Sequence, residues 1–150
     1  MSKLDLLQPD ARPYFEDFIN RLDRRGYRYS VLETLRTAEV QEAYYAQGRK
    51  PLAEINALRT KAGLYLLTDA EGKRIVTQTM YSVHLKGRAA DIVPVLDGKI
   101  PWNMTRETAE LWRAFGLLGQ EAGLEWGGSW QPLDRFGIGW DAPHYQRGAA

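Results

Sequence analysis

The segment SVHLKGRAADIVPV, residues 82–95, contains one of the two histidines of the chain and ends in a run of apolar residues. Residues 89–95 are typical of a buried strand. Gly87 lies between His84 and Asp91, and the loop can turn back there because glycine accepts backbone angles that other residues avoid. The segment therefore predicts a central strand with His84 and Asp91 brought together at its start. The alternative is a surface histidine and an unrelated aspartate.

Two stretches with apolar residues at helical spacing lie on either side of this strand in the sequence. In residues 13–25, Pro13 suits the first turn of a helix and Gly26 suits its C-terminal stop. From Thr105 onward, apolar residues recur every three or four positions until Gly123. Both stretches predict amphipathic helices that pack one face against a core.

The remaining predicted elements are shorter. They are a strand in residues 27–35, a helix in 38–47 capped by Thr37, a short helix in 51–58, two hairpin strands in 64–68 and 74–77, a turn at Asp97-Gly98 and a last strand in 140–146. This mixed order predicts an α+β fold in which helices flank a small antiparallel sheet. We expect a single domain over residues 1–150, with residues 50–76 as an inserted hairpin or flap.

The composition excludes several classes of protein. Twenty Lys and Arg against nineteen Asp and Glu give a net charge of +1, and no long run of either sign indicates a nucleic-acid groove. We interpret the basic cluster at the end of the first helix as a solvated face; it consists of Arg21, Arg24, Arg25 and Arg28. The chain has no cysteine, so a metal site must use His, Asp or Glu.

The chain also lacks the apolar segments that direct proteins to or through membranes. A bilayer span needs about 18 apolar residues, and no such run occurs. The first ten residues, MSKLDLLQPD, lack the apolar core of a secretory signal. We therefore expect a protein that is made in the cytoplasm, does not insert into membranes, and needs an exit route in order to act outside. Separately, we expect a monomer that does not bind nucleic acid.

The second histidine lies in a region rich in Trp and Gly, with EWGGSW at residues 125–130 and WDAPHYQ at 140–146. A catalytic zinc site usually has three protein ligands and an open position, and an Asp beside two imidazoles supplies negative charge. Asp141 precedes His144 by three positions, with Pro143 stiffening the backbone between them, which suits a general base beside a metal ligand. The alternative is that Asp141 caps a turn and His144 is an ordinary strand residue.

The two histidine segments together resemble the signature motifs of the VanY-type D-alanyl-D-alanine and L-alanyl-D-glutamate metallopeptidases. The first motif, Ser-x-His-x-x-Gly-x-Ala-x-Asp, is matched by Ser82, His84, Gly87, Ala89 and Asp91. The second, Glu-Trp-Gly-Gly-x-Trp followed by an acid, two residues and His, is matched by residues 125–130, Asp141 and His144. The resemblance implies a Hedgehog/DD-peptidase-like fold, a Zn²⁺ ion held by His84, Asp91 and His144, and Asp141 as the catalytic base.

A further segment, LRTAEVQEAYYAQGR at residues 35–49, resembles the peptidoglycan endopeptidase branch of that family. The resemblance implies that Arg36 steadies the carbonyl oxygen of the substrate, a sound use of a fixed guanidinium. The alternative is a surface ion pair of Arg36 with Glu33 or Glu39. Four residues are candidates for contacts with the substrate, namely Ser82, Trp126, Trp140 and Tyr145. For the three aromatic residues, we favour the alternative that they pack in the core or in the wall of the site.

The resemblance implies a peptidase that acts on the stem peptides of peptidoglycan, most specifically at the L-alanyl-D-glutamate bond. We expect a phage or prophage endolysin that reaches the periplasm or cell wall after release, for example through a holin. Two departures from the family pattern are Ser129, where many relatives carry Asp, and the long link formed by residues 51–73. The alternatives are a D-alanyl-D-alanine carboxypeptidase or dipeptidase, a non-catalytic zinc-binding module of the same fold, and a tail or toxin component.

Overall fold

The computed structural model describes residues 3–77 and 83–148. The chain divides into two compact units. The larger unit consists of Met1–Leu35 and Lys86–Ala150, and the smaller unit consists of Arg36–Leu85. The prediction of one domain over the whole chain stays a prediction. No helix in the described part is both long and apolar enough to cross a membrane.

Five α-helices and four strands make up the described part of the chain. The helices are α1 (Arg12–Arg24), α2 (Ala38–Ala46), α3 (Leu52–Lys61), α4 (Asp69–Gly72) and α5 (Arg106–Glu121). The strands are β1 (Tyr29–Glu33), β2 (Ala89–Pro94), β3 (Glu125–Trp126) and β4 (His144–Gln146). Short 3₁₀ turns lie at Lys3–Leu6, Val83–Lys86 and Gly127–Ser129.

The larger unit contains a four-stranded sheet in the order β1-β2-β4-β3, and every pairing is antiparallel. The predicted α+β class with a small antiparallel sheet is therefore confirmed, and β2 occupies the predicted central position. The last strand is shorter than predicted, because residues 140–143 form turns and β4 starts only at His144. Pro143 lacks an N–H group for a sheet ladder, and the His144 amide donates to the Asp141 carbonyl oxygen at 3.0 Å instead.

Helices α1 and α5 cover one face of this sheet, as their apolar periodicity predicts. Phe15 and Phe18 of α1 and Phe115 of α5 are fully buried with the strands in one core. Each such side chain contributes about 1.5–3 kcal/mol through burial. Gly119 of α5 permits close approach of the sheet, because a Cβ atom there would lie 2.5 Å from the ring of Tyr145.

The smaller unit is helical throughout its described elements, so the predicted hairpin in residues 64–77 is wrong. Thr68 and Glu71 form a reciprocal capping box that starts α4 in the place where a β-turn was expected. The side-chain amide of Gln47 donates to the Glu71 carbonyl oxygen at 3.0 Å and anchors α4 to the end of α2. A small apolar cluster of the same unit includes Ala46, Ile55 and Leu67. Residues 50–76 therefore form part of a packed helical unit.

Candidate metal centre

The pairing of β2 with β4 places Asp91 directly opposite His144. The neighbouring pair, Ala90 and Tyr145, is fully buried in the core. Because side chains alternate along a strand, Asp91 and His144 project from the opposite face of the sheet. Residues that face each other across antiparallel strands have Cβ atoms about 5 Å apart. The Asp91 Oδ1 atom and the His144 Nδ1 atom lie 3.8 Å apart.

Asp141 reaches the same imidazole nitrogen from the turn that precedes β4. Its Oδ2 atom lies 3.8 Å from His144 Nδ1, and its side chain is 31% exposed. The position of this turn depends on Gly127, since a Cβ atom there would lie 2.1 Å from the Asp141 carbonyl oxygen. The Trp-Gly-Gly motif therefore has a packing role, which is to let the backbone that carries Asp141 approach closely.

The hydrogen bonds of His144 determine which of its ring nitrogens carries the proton. Glu125 Oε2 accepts a hydrogen bond from the side-chain amide nitrogen of Gln146, Nε2, at 3.0 Å. The Gln146 amide oxygen therefore faces His144 Nε2, at 2.8 Å. Since that oxygen only accepts, Nε2 carries a hydrogen, and in the neutral imidazole Nδ1 then presents its lone pair toward Asp91 and Asp141. Partners of this kind orient metal-binding histidines.

His84 supplies the third side chain of the group. It lies in the 3₁₀ turn Val83–Lys86, is 2% exposed, and its carbonyl oxygen accepts a hydrogen bond from the Arg36 amide at 3.2 Å. Gly87, which follows this turn, has a φ of 67°, the conformation expected for a loop that turns back. One ligand atom from each of His84, Asp91 and His144 lies within 4.8 Å of the other two.

This donor set fits a zinc ion. Tetrahedral ligands at about 2.1 Å from zinc stand about 3.4 Å apart, so a contraction of at most about 1.4 Å completes the coordination. Imidazole nitrogens and carboxylate oxygens are ligands that zinc accepts, and the negative charge of Asp91 beside the two imidazoles favours a cation. The predicted ligands are therefore brought together in a form that can bind the predicted metal.

The other predicted site residues fall into different environments. Trp140 is 53% exposed, whereas Trp126 and Tyr145 are buried, which agrees with the core alternative for these two. The Trp126 indole nitrogen donates to the Ala142 carbonyl oxygen at 2.7 Å and thereby supports the turn that follows Asp141. The prediction for Ser82 lies outside the described residues.

Arg36 lies in the smaller unit, where its backbone is bonded to His84. Its guanidinium donates to the side-chain oxygen of Gln41 at 2.6 Å and lies 5.0 Å from the centre of the Tyr44 ring. These contacts hold the side chain in one orientation. Its contact with the substrate stays a prediction.

Sequence reasoning missed the roles of Glu125 and Gln146. A usable signal was present, since Gln146 stands two positions after His144 on the same strand and therefore on the same face. Glu125 was part of the recognised motif, but its position opposite Gln146 follows only from the pairing of β3 with β4.

Comparison with known proteins gives two kinds of match. Residues 76–147, which include all three candidate ligands and Asp141, match the model of a family described as D-alanyl-D-alanine carboxypeptidase. The VanY-type resemblance is confirmed. No curated protein sequence matches at a comparable level.

Solved structures with a similar fold include an L-Ala D-Glu endopeptidase and VanY-type peptidases. The L-Ala D-Glu endopeptidase ChiX of Serratia marcescens is similar with a TM-score of 0.58 and 21% identity, over 97% of this chain and 84% of that one. The D,D-pentapeptidase VanY of a VanB-type resistance cassette, solved as an E175A mutant with Zn(II), has a TM-score of 0.51 and 20% identity, over 93% and 71% of the two chains. VanYB with D-alanine-D-alanine has a TM-score of 0.53 and 20% identity, over 93% and 70%. At these identities, the likeness to each of the three solved structures concerns the fold alone.

Proposed function

We propose that this chain is a zinc-dependent peptidase that cleaves the L-alanyl-D-glutamate bond of peptidoglycan stem peptides. The observation that carries the proposal is the convergence of His84, Asp91 and His144, whose ligand atoms lie within 4.8 Å of one another. Asp141 beside this group supplies the further carboxylate that a hydrolase needs.

The residues of the chain have distinct roles in the proposed reaction. A zinc ion bound here would act as a Lewis acid on the scissile carbonyl group and would make the attacking water more acidic. Asp141 accepts the proton of that water and transfers it to the leaving amine. The partly buried position of its carboxylate favours this exchange, because water competes less there. Arg36 donates to the developing oxyanion, which is worth about 3 kcal/mol for a well-placed donor.

The specificity for the L-alanyl-D-glutamate bond is supported by two observations. The segment 35–49 resembles the endopeptidase branch, and the likeness in fold to ChiX extends over 84% of that protein. The second candidate is a D-alanyl-D-alanine carboxypeptidase, which is favoured by the description of the matching family and by the VanYB complex.

A digest of purified muropeptides, read by mass spectrometry, separates these specificities. Release at the L-alanine bond supports the endopeptidase, and loss of one terminal D-alanine supports the carboxypeptidase instead. Protein stripped of metal by a chelator should lose turnover and regain it with added zinc. Undiminished hydrolysis by the stripped protein would refute the metal mechanism.

The Asp141→Asn variant distinguishes a catalytic base from a metal ligand. We expect turnover to fall by about 10²–10⁴-fold while zinc affinity stays close to wild type. Asp97→Asn, in an exposed turn, is the matched control and should retain turnover. Turnover by Asp141→Asn equal to wild type would exclude Asp141 as the base. An absence of turnover in the wild type despite bound zinc would favour the non-catalytic module.

We also propose that the enzyme acts as a phage or prophage endolysin that reaches the wall after release from the cytoplasm. The support is the resemblance of its segments to the endopeptidase branch, which includes such lysins. Expression in a bacterial host should cause lysis only when a holin is expressed with it. Lysis by the chain alone, or none with a holin, would contradict this route.

A further inference from the structure

An aromatic cavity of about 570 Å³ adjoins Asp141 within the larger unit. We call it the tryptophan pocket and define it by the walls formed by Trp102, Trp112 and Trp140, with Asp141 and Pro143 at one edge. Trp102 and Trp140 are 56% and 53% exposed. Large apolar side chains that stay this exposed around a concave surface are typical of a ligand site.

A row of rings connects the tryptophan pocket to the metal centre. The ring of Trp130 lies 5.1 Å from the His144 ring and 5.9 Å from the Trp140 ring, measured between centroids. The Trp140 ring is therefore at most about 11 Å from the imidazole of a candidate ligand. A molecule that is cleaved at the metal centre and extends over this distance reaches the pocket.

Two of the polar side chains around the tryptophan pocket are bonded to the protein backbone. The Trp112 indole nitrogen donates to the Pro101 carbonyl oxygen at 3.0 Å. Asp134 Oδ1 accepts the backbone amides of Phe136 and Ile138 at 2.8 and 3.0 Å, so this carboxylate is engaged in its own turn. The exposed indole rings of Trp102 and Trp140 suit a ligand with flat apolar faces and polar edges, such as a pyranose sugar. The volume is in the range of a small-molecule site and holds one substituted sugar ring.

We propose that the tryptophan pocket binds the N-acetylmuramyl sugar that carries the stem peptide. This inference rests on the proposed function and depends on which bond is cleaved. An extended residue spans about 3.5 Å, so the single L-alanine and the lactyl group place the sugar about 7–10 Å from the L-alanyl-D-glutamate bond. That distance is compatible with the upper limit of about 11 Å between the rings of His144 and Trp140. The terminal D-alanyl-D-alanine bond is four residues from the lactyl group, about 14 Å, so its cleavage would place the sugar farther away than the Trp140 ring.

The first test measures binding without catalysis. N-acetylmuramic acid is titrated into the wild-type protein, the Trp102→Ala variant and the Trp140→Ala variant by calorimetry, with L-alanyl-D-glutamate as a ligand that lacks the sugar. We expect the sugar to bind the wild type and each substitution to weaken it by at least about fivefold, the loss typical of one stacking contact. Both side chains are more than half exposed, so two independent variants guard against a folding failure of either one.

The second test compares a muropeptide that retains its sugar with the same peptide freed of it. We expect the wild type to have at least about fivefold higher kcat/KM for the sugar-bearing substrate, and each tryptophan variant to lose that preference. Leu117→Ala, which truncates an exposed apolar residue of α5 outside the pocket, should keep the preference.

Two results would overturn the inference: equal binding of N-acetylmuramic acid by wild type and both variants, or cleavage at the L-alanine bond with no preference for the sugar. Cleavage at the D-alanyl-D-alanine bond would refute the proposed specificity. In that case the titration still reports on the pocket alone.

Discussion

Replacing Gln146 by leucine removes the acceptor that orients the candidate ligand His144. The leucine side chain has a similar size, so the change deletes two hydrogen bonds, the 2.8 Å contact to His144 Nε2 and the 3.0 Å contact to Glu125. The imidazole then loses the partner that keeps its Nδ1 lone pair directed at Asp91. We therefore expect weaker metal binding by a protein that still folds.

The size of the effect follows from the role of such outer partners. Their loss typically costs 10–100-fold in metal affinity, which corresponds to about 1.4–2.8 kcal/mol. His144 is only 7% exposed, so its Nε2–H group would also be left without water, at a cost of about 1–3 kcal/mol in folding stability. The thermal midpoint should fall together with the zinc affinity.

The assay is a competition for zinc against a fluorescent chelator at constant pH and ionic strength. Gln120→Leu, on the exposed face of α5, is the matched control and should bind zinc like the wild type. Glu125→Gln should weaken binding less, and its effect should vanish in the Gln146→Leu background because Glu125 acts through Gln146. A folded Gln146→Leu protein with zinc affinity within twofold of wild type would refute the assigned tautomer and orientation.

Two further predictions concern packing around the site. Gly127→Ala should abolish turnover and cost about 1–3 kcal/mol in stability, since the new Cβ atom would lie 2.1 Å from the Asp141 carbonyl oxygen. Turnover and thermal melting check this. The control Gly98→Ala has open space around it and should stay active, with a loss of stability that comes only from its backbone φ of 76°. Tyr145→Phe should leave stability unchanged or raise it by up to about 1 kcal/mol, because the hydroxyl is buried and has no hydrogen-bond partner among the described residues. Burial also raises the pKa of Tyr145 above its ordinary value of 10.0, so the phenol ionises first in the unfolded chain, and the stability of the protein, unaffected below pH 10, falls as the pH rises further. Urea titrations at pH 8 and pH 10.5 should show a smaller alkaline loss for Tyr145→Phe than for wild type, and an equal loss would contradict this origin.

Local sequence patterns predict most of the secondary structure of the larger unit. The sequence signal is clear where an element buries one or both of its faces. This applies to the apolar spacing of α1 and α5 and to the β-prone residues of β2. The pattern is weaker in residues 64–77, where the capping residues Thr68 and Glu71 determine the structure. The sequence Asp69-Ala70-Glu71-Gly72 is typical of a β-turn and therefore predicts a hairpin, whereas these four residues form the short helix α4.

The chemistry of the metal centre was determined by the sequence, because residue types and their spacing within two motifs specify His84, Asp91, His144 and Asp141 as donors and acceptors. How these residues meet follows from strand pairing and packing in the folded chain. The register of β2 against β4 sets Asp91 opposite His144, and the pairing of β3 with β4 brings Glu125 to Gln146. Burial likewise separates Tyr145 in the core from exposed Trp140. Strand register and burial depend on contacts between residues that are far apart in the chain. The local spacing of residues in the sequence does not specify such contacts.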